Sequence, residues 1–170
     1  MAKIIAISNQ KGGVGKTTTA INLSACLSAA ENRTCIIDMD PQSNATTGLG
    51  LEKYEIEFSV YDVITGREID GETARMEDII VNSEYLEYLD IAPSSPELAG
   101  AEIELVNVMA RERKLAEAVA GIRDKYEYIV IDSPPSLGLL TINVLTAADS
   151  VIIPIQCEYY ALEGLAELLN

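Results

Sequence analysis

Lys11-Gly12-Gly13-Val14-Gly15-Lys16-Thr17 lies between an apolar run, Lys3-Ile4-Ile5-Ala6-Ile7, and a helix-forming stretch over 18–30. The order strand, glycine loop, helix is the context that a phosphate-binding loop demands. The ordinary loop carries a glycine five residues before its closing Gly-Lys-Thr. Gln10 holds that position here, and a second lysine, Lys11, stands at the mouth of the loop instead. Glycines let backbone N–H groups converge on a polyphosphate without side-chain clashes. Lys16 then reaches the β- and γ-phosphates, the Thr17 hydroxyl suits Mg²⁺, and the following helix N-terminus favours an anion. A glycine-rich turn without a ligand is the plain alternative, and the flanking strand and helix argue against it.

Composition fits a nucleotide-binding domain. The 170 residues are 48% hydrophobic with a mean hydropathy of +0.15. They are expected to form one domain, 1–170, burying about two-thirds of the unfolded surface. No apolar run approaches the ~20 residues of a membrane span, and the chain opens on a strand rather than a signal segment. Cys26, Cys35 and Cys157 share no metal or redox spacing. They read as small buried hydrophobes in a reducing compartment, so the expected location is the cytoplasm. A net charge of −15 argues against a broad electrostatic grip on nucleic acid. The basic cluster Arg111, Arg113 and Lys114 reads as a solvated helix face. The absence of histidine leaves carboxylates, metal and positioned water for any hydrolytic chemistry.

Strand and helix signals alternate along the chain. Strands are expected at Thr34-Cys35-Ile36-Ile37-Asp38, Tyr88-Leu89-Asp90-Ile91-Ala92, Tyr128-Ile129-Val130-Ile131-Asp132 and 150–155. Short helices are expected over 59–65 and 76–81. One long helix is expected from about Pro96 to about Gly121, with Leu98, Ala101, Leu105, Val108, Met109, Leu115, Val119 and Ile122 at helical spacing. Strands separated by helices imply a doubly wound α/β fold, a mostly parallel sheet covered on both faces, with ligands at the carboxyl ends of the strands. Asp38 and Asp40 fall at one such end and Asp132 at another. Each alone could be a turn-starting aspartate; their convergence with the glycine loop on one crevice favours a metal-and-water role.

The segments from Lys11 to Ala20, from Asp38 to Thr46 (Asp38-Met39-Asp40-Pro41-Gln42-Ser43-Asn44-Ala45-Thr46) and from Ile131 to Gly138, with the stretch to Glu158, resemble the deviant Walker A ATPases of the ParA, Soj and MinD group, the ParA/Soj partitioning branch best. The resemblance implies ATP and Mg²⁺ as ligands. Lys16 and the backbone of Gly12, Gly13, Val14 and Gly15 would hold phosphate, Thr17 the metal, and Thr18 the α-phosphate. Lys11 would reach the partner's nucleotide across an ATP-dependent homodimer, as an arginine finger does elsewhere. Asp40 would position the attacking water, while Asp38 and Asp132 would hold the metal's water shell. Backbones of two subunits would approach at Gly12. A ParB-like centromere-binding protein and DNA are the implied partners, and the acidic charge stands against the DNA.

Members of the group continue past the point where this chain ends. The stretch before Asn170 reads as an amphipathic helix with Leu162, Leu165, Leu168 and Leu169 on one face, so a C-terminally shortened domain or an oligomer covering that face is expected. A MinD-like membrane-associated positioning ATPase is an alternative; such proteins usually need a terminal basic amphipathic helix, and none is visible before Asn170, past which the family's chains continue. A non-hydrolysing nucleotide-binding scaffold is the remaining alternative. Iron–sulfur relatives need paired cysteines, which this chain lacks.

Overall fold

Alternation along the strands decides how the layers stack. The computed structural model describes residues 1–52 and 54–156. The sheet is built from β1 (Lys3–Ile7), β2 (Thr34–Asp38), β5 (Val81–Asn82), β6 (Leu89–Ala92), β7 (Tyr128–Asp132) and β8 (Ser150–Ile152), in the order β5-β6-β2-β7-β1-β8. All neighbours are parallel except β5 and β6. The buried strands are runs of isoleucine and valine, as expected for a sheet covered on both faces.

Ile4, Ala6, Cys35, Ile37, Ile129 and Ile131 pack into one core layer. It is closed by α3 (Val60–Thr65), α5 (Leu98–Glu104), α6 (Lys114–Ala120) and α7 (Leu139–Ala147). Ile7, Ile36, Ile91 and Val130 form the other layer, under α1 (Lys16–Ala29) and α2 (Asn44–Gly48). Side chains alternate at period two, so Asp38 and Asp132 share the parity of Ile36 and Val130. They point to the α1 face, where the glycine loop lies.

Local chemistry starts and stops the smaller elements. Ser59 and Asp62 form a capping box at α3: Ser59 Oγ accepts from Tyr61 N–H and Asp62 Oδ2 accepts from Ser59 N–H at 2.8 Å. Gly66, at φ 73°, ends that helix. A hairpin of β3 (Glu68–Ile69) and β4 (Glu72–Thr73) then leads into α4 (Met76–Ile79).

The long helix expected over 96–121 is not formed. The chain leaves α5 through a 3-10 turn, Leu105–Asn107, passes Ala110 at φ 54°, makes a second 3-10 turn, Arg111–Arg113, and only then enters α6. Leu98, Ala101, Leu105, Leu115, Val119 and Ile122 are buried as their spacing predicts, but Met109 is 90% exposed. The physical reason is tertiary. Asn143 of α7 accepts from Leu115 N–H at 3.1 Å and donates to Arg111 O at 2.9 Å, so it caps α6 from outside. The fifth expected strand is shorter, ending at Ile152, and Val81 joins the sheet edge rather than a helix. Cys157 and the helix expected around Leu162 lie outside the described residues.

Candidate functional site

The loop between β1 and α1 needs glycine at two positions for backbone reasons. Gly13 and Gly15 sit in the left-handed region at φ 73° and 89°, where a Cβ is strained. Gly12 is different. Its φ is not positive, and a Cβ there would meet nothing within 4 Å, so its glycine has no steric reason within these residues.

The loop is braced from behind. Asn9 Nδ2 donates to Pro154 O at 2.8 Å while Asn9 Oδ1 accepts from Lys11 N–H at 3.0 Å. Gln156 Nε2 donates to Gly13 O at 2.9 Å, and Thr19 Oγ1 donates to Gly15 O at 2.7 Å. Val14 is buried beneath the loop, Thr17 is half-buried and Thr18 is exposed at the start of α1. Lys16 is only 7% exposed, and its Nζ donates to Lys11 O at 3.3 Å. Burial pulls its pKa down, and the charges of Asp132 and Asp40 oppose that.

Three strand ends converge beside it. Asp38 and Asp132 are register partners across β2 and β7, and Ile7 of β1 is in register with Asp132. Asp38 is fully buried and fully served: Oδ1 accepts from Asp40 N–H at 3.0 Å, and Oδ2 accepts from the Thr46 N–H and hydroxyl at 2.8 and 2.7 Å. Burial pushes its carboxyl up to about 6, and those donors hold it from rising further.

Asp132 is equally buried, yet neither of its oxygens has a hydrogen-bond partner of full geometry among the described residues. Burial pushes its carboxyl up to about 7. A loose approach by the Thr17 hydroxyl holds it back, Asp38 and Asp40 add to the rise, and Lys16 opposes it. Asp40 is buried beside the loop, its Oδ1 accepting from Gln42 N–H at 2.9 Å.

A second layer was missed by sequence reasoning. Ser94, just past β6, donates its N–H to Thr46 Oγ1 at 3.0 Å and its hydroxyl to Asp40 O at 2.7 Å. Thr46 in turn donates to Asp38, so a continuous chain of donors runs from the end of β6 to the Asp38 carboxylate. The signal for it was Pro93-Ser94-Ser95-Pro96 directly after an apolar strand. Asn9 was missed as well.

Lys11, Gly12, Gly13, Val14, Gly15, Lys16, Thr17, Thr18, Asp38, Asp40 and Asp132 thus form one group at the carboxyl end of the sheet, at or just past the ends of β1, β2 and β7. Its chemistry suits an anion with a hard cation: convergent loop amides, a buried ammonium, a hydroxyl and buried carboxylates. Unpartnered oxygens on a buried carboxylate are costly unless an ion or water satisfies them. Among the described residues no cluster of three or more carboxylate or thiol groups is arranged to hold a metal by itself. A cation here would complete its shell with water or phosphate oxygens.

Residues 2–170 match the AAA domain family AAA_31. The chain belongs to this family. It is 56% identical over 170 residues to the sporulation initiation inhibitor protein Soj of Bacillus subtilis, covering all of this chain and 64% of that protein. It is 52% identical to the chromosome partitioning protein ParA of Myxococcus xanthus, covering 58% of it. The chain therefore spans less than two-thirds of the length of these relatives.

Among solved structures, a cobyrinic acid a,c-diamide synthase from Mycobacterium smegmatis, with bound ATP analog and magnesium, superposes with a TM-score of 0.91 at 37% identity, covering 99% of this chain and 66% of that one. A putative plasmid partition protein from Borrelia burgdorferi bound to AMPPNP superposes at 0.83 with 31% identity, covering 99% and 67%. The fold is that of the ParA/MinD-like P-loop NTPases, a mostly parallel sheet flanked by helices. No helix among the described residues is long and apolar enough to cross a membrane.

Proposed function

We propose that this chain binds Mg·ATP in the crevice at the carboxyl end of the sheet, hydrolyses it slowly, and couples ATP binding to homodimerisation in chromosome or plasmid partitioning. The observation that carries this reading is Asp132, a fully buried carboxylate beside Lys16 whose oxygens have no hydrogen-bond partner of full geometry among the described residues. The family and its Soj and ParA relatives support the partitioning context, and two structural neighbours carry adenine nucleotides or analogues.

In this reading the amides of 12–15 and the Lys16 ammonium take the phosphates, and Thr18 contacts the α-phosphate. The donor set fits magnesium: Thr17 would hold it directly, Asp38 and Asp132 through water. Bound magnesium would neutralise charge on the phosphate oxygens. Asp40, fixed by Gln42 N–H and Ser94 Oγ at its own carbonyl, would orient the attacking water. Its carboxylate keeps free acceptor capacity for that purpose. Lys11 would act on the partner's nucleotide, and Gly12 would allow the two backbones to approach. A ParB-like protein would stimulate turnover.

Phosphate release from Mg·ATP by wild type, with Asp40→Ala alongside, tests the reading. Wild type should turn over ATP slowly, and Asp40→Ala should bind ATP without releasing phosphate. Nucleotide binding by wild type without any phosphate release would favour a non-hydrolysing scaffold.

A further inference from the structure

The chain stays beside the loop after β8 ends. Ser8 N–H donates to Ile152 O at 3.1 Å, Asn9 Nδ2 to Pro154 O at 2.8 Å, and Gln156 Nε2 to Gly13 O at 2.9 Å. These contacts fall at every second residue of 152–156, the spacing of an extended chain. The last of them reaches the glycine loop from 143 residues further along the sequence.

Gly13 is a soft point in that loop. It holds a positive φ of 73°, and without a Cβ its flanking peptide planes turn at little steric cost. Gly13 is exposed and a Cβ there would meet nothing within 4 Å, so packing does not wedge the plane in place. Gln156 holds it instead. The Gly13–Val14 peptide is trans, and in a trans peptide the carbonyl oxygen and the following N–H point to opposite sides. A donor on Gly13 O therefore directs the Val14 N–H away from Gln156. The same hydrogen bond polarises the amide, which makes that N–H a stronger donor. A flipped plane would carry the carbonyl oxygen to the side the N–H now occupies, where it would repel an anion.

We propose that Gln156 is a positioning residue for the phosphate-binding loop: its side-chain amide sets the Gly13–Val14 peptide plane so that the Val14 N–H is presented to the phosphates of a nucleotide. This rests on the reading that the loop binds Mg·ATP. The Gln156 side chain is exposed, so its hydrogen bond adds little to the fold. Its effect is on what the loop can hold.

Two variants of the full chain test this. Gln156→Met keeps the length and bulk of the side chain and removes the donor, whereas Gln156→Ala removes both. Mg·ATP affinity is measured by calorimetry. The Val14 amide nitrogen resonance is followed without nucleotide, because that nitrogen senses a hydrogen bond on the carbonyl of its own peptide. Both variants should bind Mg·ATP about three- to tenfold more weakly than wild type, the worth of one such hydrogen bond. Both should move the Val14 resonance and leave those of Ile5 and Ala6 in β1 in place. A methionine variant that binds like wild type while the alanine variant does not would overturn the proposal, because the side chain would then act through bulk. Weakened affinity with an unmoved Val14 resonance would overturn it too, since the peptide plane would not be involved. Wild-type affinity in both variants would overturn it and leave the nucleotide reading standing. A wild-type chain that binds no Mg·ATP would overturn that reading and this proposal with it.

Discussion

Asp38 and Asp132 stand directly opposite each other across β2 and β7, but the first receives three hydrogen bonds and the second none of full geometry. Two carboxylates in the same layer of the same sheet are thus prepared for different tasks. Asp38 is tied into the 39–46 turn by those donors, whereas no bond of full geometry holds Asp132 among the described residues.

The stability of the ligand-free chain should carry the mark of Asp132. Its carboxyl lies near 7 in the fold against about 3.9 unfolded. Between those values the native state binds more protons than the unfolded state, so stability falls as pH rises through that window. Asp38, raised to about 6, adds to the fall over its lower part. Asp132→Asn should therefore stabilise the ligand-free chain at pH 8, on the order of 2 kcal/mol, and change little at pH 4. Thermal unfolding of both proteins at the two pH values checks this; a gap of equal size at both would contradict it.

Thr46 links the Asp38 carboxylate to the end of β6. Thr46→Val removes the hydroxyl that donates to Asp38 and accepts from Ser94 N–H. Two buried polar groups then lose a partner, at a cost of about 2–4 kcal/mol. Thr46→Ser should recover most of it. Urea unfolding of the three proteins measures the loss and the recovery, and equal stability of the valine and serine variants would show that the hydroxyl is idle.

Lys16 should matter for ligand and little for fold. Its ammonium is buried and donates to the Lys11 carbonyl, a single neutral acceptor among the described residues, so Lys16→Ala should leave the melting temperature near that of wild type. Its affinity for Mg·ATP should fall at least about a hundredfold, near 2.7 kcal/mol, by calorimetric titration. Unchanged affinity would remove the phosphate role from this lysine.

Gly12 and Gly13 are adjacent and should separate cleanly. Gly13→Val forces a branched side chain into φ 73° and should cost about 1–3 kcal/mol. Gly12→Val meets open space within the chain and should fold and bind nucleotide normally, while losing any ATP-dependent dimer. Thermal melts with sedimentation distinguish the two, and an intact dimer in Gly12→Val would argue against close backbone approach there.

Much of this was legible in the sequence, for local reasons. Apolar runs ending in Asp38 and Asp132 fix both the strands and their parity, and the glycine loop between Ile7 and Lys16 fixes the crevice. What was not legible depends on partners distant in sequence. The helix expected over 96–121 breaks because Asn143, from α7, caps α6 from outside its own segment. Spacing alone therefore gave the right buried leucines and the wrong path between them. Ser94 was invisible for the same reason, since its bonds to Thr46 and Asp40 bridge separate strands. The edge strand β5, two residues long, offers no periodicity to read.

The central claim is that ATP binding in this crevice joins two copies through Lys11. Sedimentation velocity of Asp40→Ala, with and without Mg·ATP and with Lys11→Ala added, tests it most directly. Asp40→Ala should sediment as a monomer without nucleotide and as a dimer with it, and the added Lys11→Ala should return it to monomer while ATP remains bound. Sedimentation indifferent to ATP, or an ATP dimer indifferent to Lys11, would contradict the account.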